Sequence, residues 1–70
     1  MSEKHDLHIT PRDRLMQAWE IEMALVRAYQ RFADEITDDK PASRLFSRLA
    51  EQECENASRL LDLLHERDSG

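Results

Sequence analysis

The stretch FADEITDDKPASRLF, residues 32–46, decides the fold. Apolar side chains at both ends flank a polar run, Thr37, Asp38, Asp39, Lys40 and Pro41, that combines turn formers with helix-capping residues. Asp38 or Asp39 can cap a helix that begins at about Pro41 and meets no further Pro or Gly until the C-terminus, running to about Glu66. Upstream, the chain from Pro11 to about Ile36 is equally free of Pro and Gly, roughly 26 residues or ~39 Å of helix. Its start is marked by Thr10 as the cap, Pro11 in the first turn where no N–H is needed, and Asp13 where a capping-box acid belongs. Two helices of matched length on a short link predict an all-α, antiparallel two-helix hairpin spanning residues 11–67. Residues 1–10 have no hydrophobic period and are expected to form a flexible arm, and residues 68–70 a disordered tail.

Composition narrows the class further. A chain of 70 residues holds one small domain, and one Gly with two Pro exclude a turn-rich β fold and a Gly-rich phosphate loop. A single Cys excludes an internal disulfide framework and a multi-cysteine zinc site, and suits a reducing, cytoplasmic setting. No run approaches the ~20 apolar residues of a membrane span, so no membrane is expected as a partner. With 15 acidic against 10 basic residues the net charge is −5, which disfavours a phosphate backbone. The Arg residues alternate with acids rather than forming a basic stripe, so an RNA-binding hairpin dimer is also disfavoured, and no nucleic acid is expected.

Each helix carries one apolar stripe. In the first it comprises Leu15, Ala18, Trp19, Leu25, Val26, Tyr29, Phe32, Ala33 and Ile36; in the second, Leu45, Phe46, Leu49, Ala50, Ala57, Leu60, Leu61 and Leu64. Two such stripes bury too little for a chain below ~70–80 residues without a disulfide, a metal or a second copy. At least a homodimer, forming a four-helix bundle, is expected.

The stripes are broken by polar residues at core-facing positions: Glu22 between Trp19 and Val26, and Glu53 and Asn56 between Leu49 and Leu60. If the turn centres near Asp38 and Asp39, residues whose numbers sum to about 77 share a height, so Glu22, Glu53 and Asn56 converge. A dimer would hold four Glu and two Asn at that level. Buried carboxylates are costly unless a cation or protons compensate them. The alternatives are therefore an oxygen-rich metal site, a metal-free polar layer with some Glu protonated, or Glu side chains at the stripe's edge paired with Arg27 or Arg48.

From Ala18 to Leu64 this pattern resembles the ferritin-like superfamily, in particular the rubrerythrin-type half-bundle and the short ferritin-like proteins that build a di-iron site across a dimer. In that family the first helix carries a ligand Glu with a Tyr seven residues later, which Glu22 and Tyr29 match. The second carries Glu-x-x-His, and Glu53 matches the Glu while Asn56 stands in the place of the His. The resemblance implies iron held by Glu22 and Glu53 of two chains, Asn56 as a weak ligand or supporting group, Tyr29 as a neighbouring donor, and a ferroxidase-like oxidation or storage of iron. An amide oxygen binds first-row metals more weakly than imidazole, so Mn, Ca or Mg, or no metal at all, are the alternatives to iron. A non-enzymatic oligomerisation or adaptor module on the same scaffold is the competing expectation.

Elsewhere, Cys54 is expected as a small buried hydrophobe, Met16 and Met23 as gap-fillers, and His65 as a charge at the C-terminal helix end. His5 and His8, with Asp6 in the arm, offer at most a loose metal site. Arg31 with Glu35 and Glu55 with Arg59 are expected as exposed i,i+4 pairs.

Overall fold

The computed structural model describes residues 8–69 and consists of helix α1, Pro11–Glu35, and helix α2, Lys40–Ser69, packed as a hairpin. The capping box forms as written in the sequence. The Thr10 hydroxyl accepts the Asp13 N–H at 3.1 Å, and the Asp13 carboxylate accepts the Thr10 N–H at 3.0 Å. At the other end Ile36 turns to φ −86°, ψ 103°, and donates its N–H to the Phe32 carbonyl, which stops α1. Of the two candidate caps for α2, Asp39 serves: its carboxylate accepts the Ala42 N–H at 3.1 Å. Ser43 then donates to the Ala33 carbonyl at 2.8 Å, tying the last turn of α1 to the first of α2. No described residue needs a positive φ, which is why this turn forms without glycine.

Of the disordered tail expected at residues 68–70, Gly70 lies outside the described residues and residues 68 and 69 are helical instead, because α2 continues through Ser69. Its last turn is held by the guanidinium of Arg12, which makes paired bonds to Asp68 at 2.8 and 3.0 Å across the open end of the hairpin. The guanidinium beside it keeps the Asp68 carboxyl below its ordinary 3.8. Among the described residues, this contact forms in place of the expected Arg31–Glu35 and Glu55–Arg59 pairs; Arg31 instead lies over the Phe32 ring, 5.6 Å from its centre. Of the arm expected at residues 1–10, residues 1–7, including His5 and Asp6, lie outside the described residues.

The seam between the helices is narrow. Among the described residues its buried members are Val26 and Ala33 from α1 and Ala50, Ala57 and Leu64 from α2, and no large side chain there is fully buried. Three alanines let the backbones approach closely and push bulkier members of each stripe to the flanks. Leu15, Trp19, Leu25, Tyr29, Phe46, Leu49, Leu60 and Leu61 are half-buried. Phe32 and Leu45, expected in the core, are exposed, at 37% and 52%. The reason is geometric: each stripe is wider than the strip one partner helix can cover. Near the turn, Tyr29 stacks on Phe46 at 5.9 Å between ring centres, and Phe32 meets the same ring edge-on at 5.4 Å. Among the described residues no helix is long and apolar enough to cross a membrane.

Candidate carboxylate site

Glu22 follows Trp19 by three residues and precedes Val26 by four; Glu53 follows Ala50 by three and precedes Ala57 by four. Glu53 is therefore one turn from buried side chains on both sides, and Glu22 lies between half-buried Trp19 and buried Val26, so the backbone places both carboxyls beside the seam. Both residues are half-buried, as is Asn56. The two carboxyl groups reach hydrogen-bonding range of each other. That bond, then burial, then the negative charge of Glu53 push the Glu22 carboxyl above its ordinary 4.5. One oxygen of Glu22, Oε1, is buried and has no hydrogen-bond partner among the described residues.

Asn56 completes the group from α2. Its Nδ2 donates to Glu53 Oε1 at 3.2 Å, while its own Oδ1 accepts from Gln52 at 3.4 Å. The amide thus presents its NH₂ to the carboxylates and its oxygen away from them, so in this arrangement it steadies Glu53 and offers no oxygen to a cation. The carboxyls of one chain stand as a pair: among the described residues no group of three or more His, Cys, Asp or Glu side chains comes together. Tyr29 lies two turns beyond Glu22, with its ring in the aromatic cluster, and makes no hydrogen bond to either Glu among the described residues.

Other candidates fall away from this level. Cys54 is exposed rather than buried, because the turn of about 100° from Glu53 carries it to a shallow groove on the opposite side, lined also by Gln30, Ser47 and Glu51. Met16 is exposed, and its sulfur accepts from Arg12 at 3.2 Å. His65 is exposed near the open end, where its charge helps to lower the Asp68 carboxyl. His8 is exposed and does the same for Asp13. Sequence reasoning missed Ile21 and Leu63, which are 60% and 40% exposed. The available signal was an apolar residue standing just off each main stripe.

No family model, curated protein or solved structure matches the chain.

Proposed function

We propose that the hairpin is a ferritin-like metal-binding unit whose carboxylate site, Glu22 and Glu53, is completed by a second copy of the chain. The observation that carries this reading is the buried, unbonded Glu22 Oε1 beside the Glu53 carboxyl. Two acids at hydrogen-bonding distance on a half-buried face repel once both are ionised, and a divalent cation removes the repulsion and occupies the idle oxygen. The donors are carboxylate oxygens, which fit iron, manganese, magnesium or calcium; the family resemblance favours iron. Two chains would provide four carboxylates. Bound iron would supply oxidation of Fe²⁺ by oxygen or peroxide, or storage of the ion. The chain's own contribution is to hold the cation on Glu22 and Glu53 and to keep Glu53 oriented through Asn56.

Metal content by mass spectrometry, on protein purified without chelator or tag metal, tests the proposal. Stoichiometric metal that disappears in Glu22→Ala is expected. A protein that takes up neither Fe²⁺ nor Mn²⁺ would overturn it. The second reading, a metal-free assembly module, then stands, and the amide of Asn56 pointing its NH₂ at Glu53 favours it.

A further inference from the structure

Beyond Leu64, which is 6% exposed, α2 has no buried side chain among the described residues, yet the helix runs on through Ser69. Asp68 stands in that last turn, where the negative end of the helix dipole disfavours an acid. Arg12 of α1 offsets this, together with the charge of His65. The Arg12 Nε and Nη2 donate to the two Asp68 oxygens at 2.8 and 3.0 Å. Both side chains are half-exposed, and an exposed pair of this kind is weak by itself. The third guanidinium nitrogen, Nη1, takes no part in the fork. It donates to the sulfur of Met16, one turn along α1, at 3.2 Å. A thioether is a weak acceptor, so this corner of the clasp is held far less firmly than an oxygen would hold it.

We propose that Met16 is a site of reversible oxidation by hydrogen peroxide, and that its sulfoxide tightens the Arg12–Asp68 clasp at the open end of the hairpin. In the step, a sulfur lone pair attacks one peroxide oxygen. The S–O bond forms, the O–O bond breaks, and the departing hydroxide takes the proton of the new S–OH and leaves as water. Sulfur gives up two electrons and peroxide gains them. Met16 is 39% exposed and open to the oxidant, whereas Met23 is half-buried. The sulfoxide oxygen is a strong acceptor, and it forms beside a guanidinium N–H that now meets only a thioether. Because Asp68 occupies the Nε and Nη2 side of the planar guanidinium, a new bond at Nη1 adds to the fork instead of competing with it. The sulfur thus reads the oxidant and the guanidinium carries the change to α2, fifty-six residues away in sequence from Arg12. The device lies apart from the carboxylate pair and operates whether or not a metal is bound there.

Peroxide treatment of the full chain, carrying Cys54→Ser so that thiol oxidation plays no part, tests this by peptide mapping and by amide hydrogen exchange at Arg67 and Asp68. Met16 should gain one oxygen before Met23 does. Exchange at the two amides should then slow by roughly three- to tenfold, the effect of one added hydrogen bond to a charged group at an exposed site. Methionine sulfoxide reductase should restore the original rate. Met16→Gln, whose amide oxygen stands in for the sulfoxide, should exchange slowly without peroxide, and Met16→Leu should stay fast after it. In Arg12→Ala the last turn should exchange faster and peroxide should change nothing there. If a variant loses its helical circular dichroism, the response of the Cys54→Ser chain to peroxide and reductase decides. Oxidation of Met23 ahead of Met16, a sulfoxide at Met16 with exchange unchanged or faster, or the same slowing in Met16→Leu or Arg12→Ala would overturn the inference.

Discussion

Glu22 holds a proton more tightly in the folded chain than in the unfolded one, through its bond to Glu53, its burial and the neighbouring charge. The sign of the stability effect follows. The favourable contribution of the protonated group is fully present below the ordinary 4.5 and is lost as pH rises through the raised folded value. Glu22→Gln keeps the shape and removes the charge, so metal-free protein should melt a few degrees higher at neutral pH, with the gain vanishing below the ordinary 4.5; thermal melts across pH check this. Asp13 and Asp68 act in the opposite sense. Their carboxyls are held below the ordinary 3.8 by Thr10 and Arg12, so their contribution is lost as pH falls through the folded values. At Asn56, substitution by His replaces an amide donor with a strong nitrogen ligand, and Asn56→His should raise affinity for Fe²⁺ in a metal titration, on the order of tenfold or more. An unchanged affinity would show that the position does not face the metal.

Among the elements, α1 begins at a reciprocal pair of hydrogen bonds between Thr10 and Asp13. Thr10→Ala should cost about 1 kcal/mol in urea unfolding, the usual loss for an N-cap. The seam between α1 and α2 is set by alanines, and Ala57 is 3% exposed. Ala57→Leu forces the helices apart and should cost roughly 1–3 kcal/mol, read from the same denaturation curves. Both helices, both caps and the turn were legible in the sequence because each rests on local rules: a Thr-Pro-x-Asp start, an Asp-Lys-Pro restart, and no Gly or Pro inside either run. The extra turn that carries α2 past Glu66 was not legible, because it is anchored by Arg12, fifty-six residues earlier in the chain.

At the scale of the molecule, five buried residues among those described, three of them alanine, make a thin core, and the face with Ile21, Phe32, Leu45 and Leu63 remains uncovered. If a second copy covers that face, folding and association are linked, and the melting temperature should rise with protein concentration; a concentration-independent melt would argue for a self-sufficient hairpin. The chain's sequence alone determined the two helices, their antiparallel hairpin, and the common height of Glu22, Glu53 and Asn56, because helical periodicity and a short link fix positions along an axis. Only the tertiary structure decided how far each side chain turns from the seam. That rotation left Phe32, Leu45 and Cys54 exposed, buried Glu22 Oε1 without a partner, and turned the Asn56 amide toward Glu53. The cause is the alanine seam: small residues bring the helices close, and only a narrow strip of each stripe fits between them.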